Sequence, residues 1–226
     1  MTGRLLLGGS FNPVHNGHLH LARCATRMLA GVVGGIDFIP CARPPHKDSG
    51  SFLDFDLRCA LVESALKGFA GAVCNTVESK RPGPSYTFDT LRDLRALHPG
   101  REHFFLLGSE DFLQIPQWRQ GLRLPELGSL AVAPRGAFSP DDFAKACVAM
   151  WPGACQEEPL NGLPAWRLPG GGRALYMPVK WLDISSTLAR SVWLAGGSLR
   201  ELVPAGALEI LLENSGLVTR RWQENG

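Results

Sequence analysis

No run of apolar residues in this 226-residue chain approaches the roughly 18 that a membrane-crossing helix requires, so the sequence predicts no transmembrane segment. The opening Met-Thr-Gly-Arg-Leu-Leu-Leu is too short for the apolar core of a signal peptide and runs at once into glycine; the expectation is a cytoplasmic protein. Excess charge is also lacking. A formal net charge of +2 with 19% charged residues calls for neither a nucleic acid nor an acidic membrane as partner. The six cysteines (Cys24, Cys41, Cys59, Cys74, Cys147 and Cys155) are scattered, with no C-x-x-C pair, so reduced thiols are expected in place of a disulfide framework or structural zinc. Internal repeats, a linker and low-complexity tracts are absent as well. What is present is an ordinary 45% of hydrophobic residues, enough for a substantial core in a single domain.

The apolar pattern alternates between short continuous runs and helical spacing. Leu5–Leu7 ends in two glycines, as expected of a buried parallel strand, and a helix follows from about His18 to Leu29. Ile36–Ile39, Ala72–Asn75, Phe104–Leu107, Leu130–Ala133 and Ala174–Met177 read as further strands. Helices are predicted over Phe55–Leu66, Tyr86–Leu97 and Asp141–Met150. Gly162–Gly172 reads as a loop, with no evident purpose for its glycine triplet. Asp183-Ile-Ser-Ser-Thr187 carries helix-capping chemistry and opens a helix to about Trp193; a final helix runs from about Ala205 to Asn214. Strands alternating with helices imply a parallel sheet covered on both faces, with a helical C-terminal end. Right-handed crossovers collect the loops after the strands along one sheet edge, where open α/β sheets bind ligands. Gly8–His18, Pro40–Lys47 and Gly108–Asp111 fall on that edge.

Gly8-Gly9-Ser10 between a strand and a helix lets backbone approach a phosphate, which the following helix N-terminus also favours. Many tight strand-to-helix turns look the same. His15 and His18 stand three residues apart at the mouth of the helix and can face one ligand. The alternatives are a capping or packing histidine beside an exposed one, or two ligands of a zinc ion that lacks a third.

Gly9-Ser-Phe-Asn-Pro-Val-His15-Asn-Gly-His18 resembles the (T/S)-x-x-x-x-H-x-G-H signature of the nucleotidyltransferase superfamily, and Ile184-Ser-Ser-Thr-Leu-Ala-Arg190 resembles its I-S-S-T-x-x-R motif. Within that superfamily the chain looks most like a bacterial nicotinate-nucleotide adenylyltransferase. Pro44-Pro45-His46-Lys47 is similar to that family's P-P-H-(K/R) loop, Ser85-Tyr86-Thr87 to its S-Y-T segment, and Gly108 through Pro116-Gln-Trp118 to its G-x-D…P-x-W pattern. The related phosphopantetheine adenylyltransferases are shorter and are not expected to carry the last two. Two positions depart: Glu110 stands where the pattern has aspartate, with Asp111 next to it, and Arg119 stands where an aromatic residue often follows the tryptophan.

The resemblance implies a Rossmann-like core over residues 1–183, completed at its ATP site by a helical part over 184–226. It implies transfer of the adenylyl group of ATP to nicotinate mononucleotide, giving deamido-NAD and pyrophosphate. His15 and His18 are then the catalytic pair. Gly8, Gly9, Ser10, Phe11, Gly108, Glu110, Asp111, Ile184, Ser185, Thr187 and Arg190 join them in binding ATP. His46, Lys47, Ser85, Tyr86, Thr87, Trp118 and Arg135 are candidates for the acceptor nucleotide. Mg²⁺ is expected with ATP, held mainly by phosphates and water. Other acceptors, such as nicotinamide mononucleotide or phosphopantetheine, a nucleotide sensor without turnover, and a purely structural α/β protein are the competing readings.

Overall fold

The computed structural model describes residues 2–45 and 52–224. In chain order its elements are β1 (Gly3–Gly9), α1 (Asn16–Met28), β2 (Val33–Pro40), α2 (Phe55–Ala65), β3 (Ala72–Cys74), α3 (Thr87–Leu97), β4 (His103–Gly108), α4 (Ser109–Gln114), β5 (Ser129–Ala133) and α5 (Pro140–Met150). Then follow β6 (Cys155–Leu160), β7 (Leu163–Arg167), β8 (Arg173–Tyr176), α6 (Ser186–Leu194), α7 (Ala205–Glu213) and α8 (Ser215–Gln223). The strands form an eight-stranded sheet in the order β3-β2-β1-β4-β5-β8-β7-β6. The register pairs Leu5 with Phe104, Phe105 with Leu130 and Val132 with Tyr176, all in parallel. The strand order runs outward from β1 through β2 and β3 on one side and through β4 and β5 on the other, the order reversal beside which open α/β sheets bind ligands.

The chain divides into two compact units. The first comprises Met1–Gly8, Arg23–Asp37 and Tyr86–Lys180. Its strands read as continuous apolar runs because they are buried on both faces: every residue of β5 is buried, as are Phe104–Leu107. Phe112, Phe143, Trp151 and Tyr176 interlock by ring contacts at 5.5–6.1 Å. The capping box predicted by neither period nor composition sits at Ser139, whose hydroxyl accepts from the Asp142 N–H while the Asp142 carboxylate accepts from the Ser139 N–H.

The predicted loop at Gly162–Gly172 instead contains strand β7, Leu163–Arg167. β6 and β7 pair antiparallel, and β7 pairs antiparallel with β8, so the sheet is only mostly parallel. β6 is an exposed edge strand carrying Glu157, Glu158 and Pro159, and so shows no apolar alternation for a sequence pattern to detect. The signal that was there is Asn161-Gly162: both residues have positive φ (51° and 77°), the requirement of a tight hairpin turn. The glycine triplet closes the β7–β8 turn. Gly170 and Gly171 have φ near 100°, and Gly172 lies so close to the backbone of Pro125 and Gly128 that no side chain would fit.

The second unit comprises Gly9–Ala22, Phe38–Ser85 and Trp181–Gly226. α2 packs on α7, and α6 on α8, where Trp193 meets Trp222 edge to face at 5.7 Å and its Nε1–H donates to Thr219 Oγ1 at 2.9 Å. The predicted C-terminus of the last helix at Asn214 is a break between two helices. Ser215-Gly216 imitates a stop, and only Val218 and Trp222, four residues apart, form the buried stripe of α8. All six cysteines are free thiols. Among the described residues no helix is long and apolar enough to cross a membrane.

Candidate active site

The second unit holds most of both superfamily motifs, and side chains from distant segments fix its first motif carbonyl by carbonyl. After β1 the backbone turns at Phe11, whose φ of 46° is costly for an L-residue bearing a large side chain. The Phe11 ring offsets that cost by complete burial against Phe38 and edge-on against the His18 ring at 4.9 Å. Phe11 thus backs the His18 ring, with its own side chain fully buried. The Ser10 carbonyl accepts from Arg58 Nη1 at 2.8 Å, the Asn12 carbonyl from Arg190 Nη1 at 2.9 Å, and the Pro13 carbonyl from the Ser186 hydroxyl at 2.9 Å. The buried Asn12 side chain accepts from the Leu53 N–H and from Trp222 Nε1–H. The Asn12–Pro13 peptide is cis.

The two histidines stack, ring centroids 3.6 Å apart and planes 26° from parallel. The His15 N–H donates to His18 Nδ1 at 3.2 Å, which leaves Nε2 as the protonated nitrogen of a neutral His18. Burial, and secondarily the adjacent His15, hold the His18 imidazole well below its ordinary pKa. A neutral ring that accepts at Nδ1 carries its N–H on Nε2 and can serve there as a hydrogen-bond donor. Gly17 makes the geometry feasible: a Cβ there would press on the His15 ring and on the carbonyl of Ile184.

In the second motif Ser185 is the N-cap of α6, its hydroxyl accepting from the Leu188 N–H at 3.0 Å. Thr187 Oγ1 accepts from Arg190 Nη2 at 3.3 Å. Burial lowers the Arg190 pKa, yet a guanidinium remains charged at any physiological pH. Ser85 is joined to Arg43 twice, its N–H donating to the Arg43 carbonyl and its hydroxyl accepting from the Arg43 N–H. His46 and Lys47 lie outside the described residues.

Sequence reasoning passed over Arg58 and Trp222. Arg58 is buried, spans the carbonyls of Leu53 and Ser10, and lies over the rings of Phe52 and Phe55. Its pKa is lowered by burial and raised in part by nearby groups, Cys41 first. Neither residue stands in a motif, and no local pattern marks a side chain that serves a turn 48 or 210 positions away.

The first unit carries the remaining candidates. Gly8 is the penultimate residue of β1, and Gly108 closes β4 and caps α4, whose first turn exposes Glu110 and Asp111. Glu110 pairs with Arg135 at 3.1 Å, and the Arg135 N–H donates to the Ser109 hydroxyl. Tyr86 is the N-cap position of α3 and Thr87 its first residue, with no side-chain cap on the free N–H groups. Trp118 is half-buried, edge-on to Phe105 at 6.4 Å.

A glycine-rich turn beside a stacked histidine pair, tied to a serine-threonine helix start and a half-buried arginine, is an arrangement suited to nucleotidyl transfer, and the chain belongs to the cytidylyltransferase-like family, whose model matches residues 6–192. It is 30% identical over 222 residues to the "Probable nicotinate-nucleotide adenylyltransferase" of Maridesulfovibrio salexigens, covering 96% of this chain and 98% of that one. It is 37% identical over 200 residues to the protein of the same name from Geobacter sulfurreducens, covering 88% and 90%. Within the family it therefore stands among the nicotinate-nucleotide adenylyltransferases. The structure of Plasmodium falciparum nicotinic acid mononucleotide adenylyltransferase complexed with NaAD matches with a TM-score of 0.72 at 17% identity, over 95% of this chain and 97% of that one, a likeness of fold.

Proposed function

We propose that the protein joins ATP to nicotinate mononucleotide, releasing pyrophosphate and deamido-NAD, as a cytoplasmic step of NAD biosynthesis. The observation that carries the reading is the union of the two motifs in one unit. Arg190 and Ser186 bond to the carbonyls of Asn12 and Pro13, beside the stacked histidines.

The acceptor phosphate is already an anion at neutral pH, with a second pKa near about 6, so attack on the α-phosphorus needs no general base. One of its oxygens forms the new P–O bond while the bond from the α-phosphorus to the bridging oxygen breaks, and the electron pair leaves with pyrophosphate. The obstacle is the negative charge gathered on the α-phosphate and the leaving group. Positioning and fixed donors lower it. In this reading His18 Nε2–H donates to the α-phosphate, with His15, Ser10 and the backbone of Gly8, Gly9 and Phe11 beside it. The Arg190 charge and the α6 start (Ile184, Ser185, Thr187) take the β- and γ-phosphates. Gly108 with Glu110 or Asp111 meets the ribose.

Mg²⁺ accompanies ATP and, when bound, neutralises phosphate charge. Among the described residues no three His, Cys, Asp or Glu side chains are grouped to hold an ion. The hard oxygen donors of Glu110 and Asp111 suit a hydrated Mg²⁺ whose other ligands are phosphates and water. For the acceptor, Trp118 offers a stacking face and the free N–H groups at Tyr86 and Thr87 offer donors. Ser85 precedes them, held on Arg43, and His46, Lys47 and Arg135 are the candidates for its phosphate. Pyrophosphate release measured with ATP and each acceptor in turn tests the reading; turnover of nicotinamide mononucleotide but not of nicotinate mononucleotide would overturn it.

A further inference from the structure

We propose that Arg119 reads the carboxylate on the acceptor's ring and thereby sets the preference for the acid over its amide; the assignment rests on the acceptor proposed above. Arg119 directly follows Trp118 in a coil held by the Trp118 N–H on the Ile115 carbonyl and the Gly121 N–H on the Trp118 carbonyl. Its guanidinium lies 4.8 Å from the centre of the Tyr86 ring, and Nη1 donates to Asp89 Oδ2 at 2.7 Å. One residue therefore joins the two segments, Tyr86–Thr87 and Trp118, that the sequence assigned to the acceptor.

Two arginines meet at Asp89. Asp89 is buried, and its other oxygen, Oδ1, is held by Arg92 at 2.8 Å. Arg92 also pairs with Asp93 at 3.2 Å, so the two arginines are matched by two carboxylates, and Arg119 shares its aspartate with a second cation. Of the Arg119 donors only Nη1 has a protein partner among the described residues, so Nε and Nη2 are available to a ligand. The Arg119 side chain is 51% exposed, so a ligand displaces water from it and not packing. Should Arg119 turn away from Asp89, Arg92 still neutralises that carboxylate, and no bare buried charge results.

A planar carboxylate on an aromatic ring matches a guanidinium resting on an aromatic face, since both hydrogen bonds can form in one plane. An amide in its place presents N–H donors to a donor edge and brings no charge. Arg119 thus adds charge discrimination to the backbone N–H groups of α3.

The test is steady-state kinetics of the full chain with saturating ATP and either nicotinate or nicotinamide mononucleotide, for the unsubstituted protein, Arg119→Ala and Arg119→Lys. With Arg119→Ala, kcat/KM for the acid should fall about 10- to 100-fold, mainly through KM, the scale of losing a charged hydrogen bond. The amide and the KM for ATP should change little, and Arg119→Lys should recover part of the loss. An equal loss with both acceptors would mean that Arg119 serves the shared phosphate or the fold, and no loss would mean that it serves neither; both overturn the assignment. Failure of the unsubstituted protein to use the acid would instead overturn the proposed reaction, and the role of Arg119 with it.

Discussion

Arg190 Nη1 donates to the backbone carbonyl of Asn12 at 2.9 Å across 178 positions of sequence, so the last side chain of the second motif is bonded to the turn of the first. Nη2 of the same guanidinium reaches Thr187 Oγ1 one helical turn back. A single planar group therefore orders the turn, ties down the start of α6 and keeps a charge beside both. Lysine cannot reproduce that fork.

Arg190→Lys should accordingly lower kcat/KM for ATP by about 10-fold, and Arg190→Ala by roughly a further 10-fold, the scale of lost charged hydrogen bonds. KM for the acceptor should stay near its original value. Initial rates at varied ATP check this, and a Lys variant with full activity would show that charge alone is at work.

His18→Ala should reduce kcat roughly 10²–10³-fold, as removal of one oxyanion donor does. The hydrogen bond onto Nδ1 further predicts a neutral, Nε2-protonated ring near neutral pH in the ligand-free protein. Because its pKa is depressed, the ring should take up a proton only well below 6.5. Nitrogen chemical shifts of labelled histidine read the tautomer directly; an imidazolium or an Nδ1–H form would contradict the geometry.

Trp222→Phe should cost about 1 kcal/mol through the lost hydrogen bond to Asn12, and Trp222→Ala about 3–5 kcal/mol through the cavity as well. Urea unfolding measures both. The milder variant should also raise KM for ATP, because Asn12 is part of the turn; unchanged KM would make α8 a packing element alone.

The sequence already carried the paired histidines, the helix start at Ser185 and the run of buried parallel strands, because each is a local pattern: a spacing, a capping residue, a continuous apolar run. Gly17 shows how far such reading reaches. Its place in the histidine motif was visible, but its reason, the closeness of the His15 ring and the Ile184 carbonyl, depends on a segment far along the chain. Arg58, Trp222 and the Arg119–Asp89 pair were invisible for the same cause, since long-range polar contacts have no period. β6 escaped because an exposed edge strand has no buried face to pattern, and β7 because its buried face is only Leu163 and Ala165 with Pro164 between them, although Asn161-Gly162 marked their turn.

His103 predicts an acid-sensitive fold. Its ring is buried, Nδ1 has no hydrogen-bond partner among the described residues, and burial first, then His98, push its pKa down to about 4. The folded value lies below the unfolded 6.5, so the neutral form is favoured by folding. That stability is present above about 6.5 and is lost as the pH falls toward 4, where the unfolded chain binds a proton that the folded chain resists. Urea midpoints of the unsubstituted protein should therefore drop across this window, and His103→Leu should flatten the drop. An identical slope in the variant would assign the acid sensitivity elsewhere.

The most direct test of the central claim is pyrophosphate release with ATP and nicotinate mononucleotide, with deamido-NAD identified as the second product. The stacked histidines, the Arg190 clamp and the aromatic segments at Tyr86 and Trp118 predict both products in equal amounts, with nicotinamide mononucleotide a weaker acceptor. Equal or better turnover of the amide, or ATP binding with no pyrophosphate released, would contradict it.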